Sequence, residues 1–202
     1  MSRRPLLVWL AVLGLAVSCR TRAGEPALQP GDLVFETSGS SQSEGIQWAT
    51  RSRWSHVGIV DVSPRGTSVL EALGKVSATP WKAWSRRARR HGGYLVLRPR
   101  GLSHAQREAA VEQARTFLGR RYDPRFGWGD DRIYCSELVV KAYERGVGIS
   151  LGRRERLGDL RLLGIEHAVE KRWGGPVPRD LVLVTPASLA EDGRLDRVHG
   201  ER

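Results

Sequence analysis

The sequence predicts one α+β domain, in which an antiparallel sheet packs with helices, and three observations carry that reading. Two β-type runs, 54–60 and 67–73, flank Asp61-Val62-Ser63-Pro64-Arg65-Gly66, a hairpin signature. Two helical patterns come after the main strand runs rather than alternating with them, as a parallel sheet would require. The 202 residues suffice for one core, and no internal repeat divides them.

The elements follow in order. Residues 1–18 read as an export signal, with Arg3 and Arg4 before the apolar run Leu6 to Val17. That run is short for a permanent membrane span. Ala16-Val17-Ser18-Cys19 resembles a lipobox with Cys19 as the lipidated residue, although Ala16 stands where Leu is preferred; ordinary cleavage after Thr21-Arg22-Ala23 is the alternative. Residues 19–29 form a polar linker, residues 30–190 the domain, and residues 191–202 a polar C-terminal tail. Pro30-Gly31-Asp32 is a turn before the strand Leu33-Val34-Phe35. Ser38 to Gly45 reads as a loop and residues 46–50 as a short helix. Tyr94 to Arg98 is a strand that Pro99 stops. Ser103 and Gln106 form a capping-box pattern, ahead of Ala110, Val111, Ala114, Phe117 and Leu118 at helical spacing, with Gly119 as the stop. A long aromatic and acidic loop leads to a helix over 136–145, ended by Gly146. Residues 181–184 make a last short strand.

Composition excludes several classes. Hydrophobic residues at 40% and charged residues at 27% make wholesale disorder untenable, and a single N-terminal apolar run excludes a polytopic membrane protein. Two cysteines, Cys19 and Cys135, cannot make a disulfide scaffold or a Cys-rich zinc module. The net charge of +11 would suit a polyanion, but the one dense cluster, Arg86-Arg87-Ala88-Arg89-Arg90, lacks interleaved aromatics and reads as surface charge. Nucleic acid is therefore not an expected partner.

If Cys19 is lipidated or removed, Cys135 is the single thiol of an exported chain, and such a thiol is either buried or used. It precedes a helical pattern, so helix-end N–H groups would favour the thiolate and could also donate to a developing oxyanion. A thiol nucleophile needs a base. Of five histidines only His56 lies within a strand run. With the hairpin turn centred between Ser63 and Pro64, Val60 pairs with Thr67 and His56 faces Glu71. A carboxylate there could fix the tautomer of the ring. A one-residue slip would carry Glu71 to the other face. A metal site on Cys135, His56 and Glu71 lacks ligand spacing such as HExxH or CxxC.

Four motifs, Pro30-Gly31-Asp32-Leu33-Val34-Phe35, Trp54-Ser55-His56-Val57-Gly58-Ile59, Val69-Leu70-Glu71-Ala72 and Ile133-Tyr134-Cys135-Ser136-Glu137-Leu138-Val139, together resemble the YiiX/YebB-like group of permuted NlpC/P60 (papain-like) cysteine hydrolases. The resemblance covers Pro30 to Pro186 and implies a circularly permuted papain-like fold, in which the His strand precedes the Cys helix. It implies Cys135 as nucleophile, His56 as base, Glu71 as the residue orienting His56, and Tyr134 beside the substrate or oxyanion. Tyr122, Asp123, Asp130 and Asp131 fall in the loop before Cys135 and receive no catalytic role. The expected function is an exported thiol hydrolase that needs no cofactor and cuts an amide in a cell-wall peptide or amino-acid conjugate. A lipid-directed acyl hydrolase or acyltransferase and a non-catalytic envelope ligand-binding protein are the alternatives. The expected location is the bacterial cell envelope, periplasmic or held at the membrane through Cys19.

Overall fold

A computed structural model describes residues 25–40 and 42–200; residues 1–18, expected to be an export signal, and Cys19 lie outside them. In chain order the elements are β1 (Leu33–Glu36), α1 (Ser43–Thr50), β2 (His56–Ser63), β3 (Gly66–Leu73), β4 (Lys75–Pro80), α2 (Trp81–Arg90), β5 (Tyr94–Pro99) and α3 (His104–Arg115). There follow β6 (Arg121–Tyr122), β7 (Arg132–Ile133), α4 (Cys135–Val147), β8 (Glu155–Arg156), α5 (Glu166–Trp173), β9 (Val182–Leu183), α6 (Pro186–Ala190) and β10 (Leu195–Gly200). One sheet runs β10-β5-β1-β2-β3-β4-β6-β7, antiparallel except for the β6/β7 pair, and β8 pairs with β9 apart from it.

The hairpin forms, but in a different register from the expected one. Ser63 pairs with Gly66, Val60 with Val69 and Ile59 with Leu70, so Pro64-Arg65 is the two-residue turn. The pairing is displaced by two residues from the expected Val60–Thr67 match. A displacement of two keeps every side chain on its face, whereas a displacement of one would have reversed them all. Glu71 therefore comes beside Gly58 instead of His56: a Cβ built on Gly58 would lie 3.3 Å from the Glu71 Cβ and 3.0 Å from the Leu70 carbonyl oxygen. Glu71 and His56 remain on the same face.

Alternation in the strands divides the interior. Leu33, Phe35, Val57, Ile59, Leu70 and Ala72 face α3 and α4, meeting Ala110, Val111, Ala114, Leu138, Val139 and Ala142. Val34, Val60, Val69, Tyr94 and Val96 face the other way, onto Trp81, Trp84 and Ala88 of α2. The sheet is thus covered on both sides. The Arg-rich run 86–90 is part of α2, whose buried face (Trp81, Trp84, Ser85, Ala88) recurs at helical spacing.

Several expected boundaries move. The Ser103–Gln106 capping box caps α3, but the helix ends at Arg115; Phe117 is buried in the turn beyond it and Leu118 is exposed. The loop expected over 38–45 gives way to α1 at Ser43. Gly146 does not end α4, which runs to Val147 and stops at Gly148 in the left-handed region. Gly146 serves close packing instead: a Cβ there would stand 2.8 Å from the Ala109 carbonyl oxygen and 2.8 Å from the Ala110 Cα of α3. The expected polar tail contains β10, which pairs with β5 and buries Leu195, so the sheet extends past residue 190.

Candidate active site

Cys135 is the first residue of α4, and Tyr134 before it is extended (φ −96°, ψ 167°). Glu137, two residues into the helix beyond Cys135, turns back so that its Oε2 accepts from the Tyr134 N–H at 3.1 Å, which fixes the helix start. The thiol is 3% exposed and so is His56, the first residue of β2. Burial pushes the thiol up, but its hydrogen bond and charge attraction with His56, helped by the Val57 amide, outweigh burial and hold it below 9.0. Burial likewise pushes the imidazole down, and the hydrogen bonds with Cys135 and Glu71 reverse this, raising it from 6.5 to about 10. Both directions favour the proton on the ring, so the surroundings lean toward a thiolate–imidazolium pair.

The other ring nitrogen is held from behind. His56 Nε2 donates to Glu71 Oε2 at 2.7 Å. The same oxygen accepts from Trp84 Nε1 at 3.2 Å and Arg87 Nη2 at 2.6 Å. Glu71 Oε1 accepts from Thr79 Oγ1 at 2.6 Å and Arg87 Nη1 at 3.0 Å. Burial opposes the charge, yet His56 and Arg87 hold the carboxyl at about 2, so it is a carboxylate throughout the useful pH range. Arg87 also donates from Nε and Nη2 to Glu36 Oε1, at 3.0 and 2.6 Å. One guanidinium thus joins two carboxylates that are 1% exposed or less, a task for which its planar fork is suited. Ligand atoms of Glu36, His56 and Glu71 lie within 4.8 Å of one another, a spacing a metal ion could use, but the Arg87 cation already fills that role.

The sequence-predicted Cys135, His56 and Glu71 therefore come together. Tyr134 does too, as a wall residue of a cavity of about 470 Å³ that opens beside Cys135. Its hydroxyl accepts from the Val184 N–H at 3.1 Å and so braces the segment entering α6. The acidic loop residues act structurally. Asp123 accepts from the Arg125 and Gly127 amides at 2.9 and 2.7 Å. Asp130 pairs with Lys141 and Arg145, both at 2.8 Å, tying the loop to α4.

Sequence reasoning missed Arg87, Glu36, Trp84 and Thr79. The signal for Arg87 was present: Trp81, Trp84 and Ala88 mark a buried helical face, and Arg87 lies one turn from Trp84 on its flank. Glu36 follows the apolar strand Leu33-Val34-Phe35, where a buried carboxylate needs a cation.

Residues 27–199 match a family described as "Permuted papain-like amidase enzyme, YaeF/YiiX, C92 family". The chain is 35% identical over 195 residues to the uncharacterized protein YiiX of Escherichia coli (strain K12), covering 95% of each chain. A solved structure titled "Crystal structure of metalloprotein yiiX from Escherichia coli O157:H7, DUF1105" superposes with a TM-score of 0.81 at 35% identity, covering 86% of this chain and 97% of that one.

Proposed function

The chain belongs to the permuted papain-like amidase family and is a hydrolase of that type, and from this premise we propose that it cleaves an amide bond with Cys135 as nucleophile, His56 as proton carrier and Glu71 as its support. The observation that carries the reading is that Cys135 and His56 are both buried and hydrogen-bonded to each other, with His56 backed by a carboxylate that five donor groups hold ionised. The thiolate attacks the carbonyl carbon, and negative charge develops on its oxygen near the N-terminus of α4. The imidazolium then gives its proton to the leaving amine as the C–N bond breaks. Water, deprotonated by the now neutral ring, attacks the thioester and releases the acid and the thiolate.

A binding cleft would need neither a low thiol pKa nor a supported imidazolium, so an enzyme is the reading the site favours over a ligand-binding protein. The neighbouring structure's title calls its protein a metalloprotein. In this chain a metal at Glu36, His56 and Glu71 would have to displace a guanidinium that makes four bonds of 2.6–3.0 Å to the two carboxylates, so these residues do not fit one.

The direct test is alkylation by iodoacetamide at pH 6, followed by intact-mass spectrometry. Cys135 should label at a thiolate-like rate, and His56→Ala should label at least ~10-fold more slowly, a fraction of what a thiol of ordinary pKa loses at that pH. Equal rates in the two proteins would overturn the assignment. We also propose export to the cell envelope with Cys19 as the lipid-bearing N-terminus. An unmodified terminus at Gly24 in the native protein would refute it.

A further inference from the structure

We infer that the groove at the β4, β6 and β7 edge of the sheet seats a phosphate group carried by the amide substrate, with Lys75, Arg121 and Arg132 holding it. This rests on the nucleophilic role proposed for Cys135 and names a charged part of the substrate for it. Three observations lead there.

The first is the register. Leu73 pairs with Lys75, Lys75 with Arg121, and Arg121 with Arg132, so one row crosses four strands. Directly opposite residues share a face, and neighbouring strands stand about 4.8 Å apart, so the three cationic residues are rooted within about 10 Å. Like charges set directly opposite one another destabilise a sheet, and an anion between them removes that cost. Arg98, Arg115 and Arg145 each have a carboxylate partner, in Asp32, Asp61 and Asp130. Lys75, Arg121 and Arg132 are exposed and, among the described residues, have neither an ion pair nor a side-chain hydrogen bond.

The second is the shape. All three side chains line one groove of about 520 Å³, and no acidic residue is among its walls. Two guanidinium forks and an ammonium match the three non-bridging oxygens of a phosphate monoester, whereas a carboxylate engages a single fork.

The third is the position. Tyr122 is a wall of this groove and also of the cavity at Cys135. Arg132 precedes Cys135 by three residues, which an extended chain spans in about 10 Å. Leu73, at the head of the cationic row, lies two residues beyond Glu71 in β3 and so on the same face of the sheet. A substrate whose carbonyl carbon meets the thiolate therefore has an anion site within one short spacer. The phosphate takes no part in the bond changes; it holds the substrate while the amide is cut.

The experiment uses chloromethyl ketones, from which the Cys135 thiolate displaces chloride to form a thioether. Spacers of three and eight carbons end in a phosphate monoester, a carboxylate or a hydroxyl, and labelling of the full chain is followed by intact-mass kinetics. On the longer spacer the phosphate-to-hydroxyl rate ratio should be at least ~10-fold and should fall as salt rises. On the shorter spacer, which cannot bridge about 10 Å, it should be near one. Lys75→Glu and Arg121→Glu should bring the long-spacer ratio to about one or below. Arg65→Glu, the same change of charge in the exposed β2–β3 turn, should leave it intact. The ratio cancels changes in the thiol itself. A long-spacer ratio near one in the wild type, or an equal loss in Arg65→Glu, overturns the subsite. A carboxylate probe as fast as the phosphate probe overturns phosphate as its ligand. Inorganic pyrophosphate, titrated by calorimetry, reads the groove without Cys135, and its binding should disappear in Arg121→Glu. Pyrophosphate that binds while the probe ratio stays flat marks an anion site apart from the substrate and overturns the proposal. Labelling that ignores His56 overturns the nucleophile alone, because pyrophosphate binding still reports on the groove.

Discussion

Glu71→Gln is the perturbation that separates a supported imidazolium from a plain Cys–His pair. The substitution keeps the shape but not the chemistry, because all the groups around the carboxylate are donors. Oε2 receives His56, Trp84 and Arg87, and Oε1 receives Thr79 and Arg87. Either orientation of the amide sets its NH₂ against an Arg87 nitrogen, which can only donate. The magnitude follows from the carboxyl's own titration. Lowered from 4.5 to about 2, its ionised form is favoured by about 3 kcal/mol on folding. A carboxyl lowered in the native state contributes stability that is present above pH 4.5 and is lost as pH falls toward 2. Urea unfolding should therefore show the variant less stable by about 3 kcal/mol at pH 7, with the gap narrowing as pH falls from 4.5 toward 2. At the site, loss of the adjacent charge should lower the imidazolium from about 10 by about 1–3 pH units. The thiol should then move back toward its ordinary range. Alkylation of Cys135 followed across pH reads this directly. An alkylation profile and a stability both equal to those of the wild type would remove Glu71 from the unit and refute the reasoning.

Arg87→Met strips two buried carboxylates of their shared cation and should cost about 3–5 kcal/mol, as breaking a buried pair does; Arg87→Lys should fall between, and urea midpoints at pH 7 measure both. Tyr134→Phe leaves the buried Val184 N–H without its acceptor and should lower stability by about 1–3 kcal/mol, read as a fall in Tm. Gly146→Val forces a branched side chain against the α3 backbone and should destabilise by about 1–3 kcal/mol or more, again visible in thermal unfolding; an unchanged Tm would show that the two helices can separate at no cost.

The juxtaposition of Cys135, His56 and Glu71 was legible because its signals are local. A cysteine placed directly before an amphipathic helical pattern declares a helix N-terminus, and a histidine at the start of one hairpin strand with a glutamate in the other declares a shared face. Even the mistaken register did no harm, since a displacement of two residues preserves the side of the sheet on which Glu71 lies. The capping box of α3 was equally readable, because Ser103 and Gln106 act on their own backbone. Other features belong to no local stretch. Arg87 reads as one more surface arginine until α2 packs its tryptophans on the sheet and swings the guanidinium between Glu36 and Glu71, which come from β1 and β3. Gly146 looks like a helix stop and is a helix–helix contact, a distinction that only the neighbouring helix can make. Strand β10 carries too many charges to announce itself and is held in the sheet by β5. The cavity beside Cys135 is assembled from side chains more than a hundred residues apart, so no window of sequence contains it. Covalent neighbours fix which groups can react, whereas packing across the sheet decides how those groups are charged, what holds them in place and what can reach them.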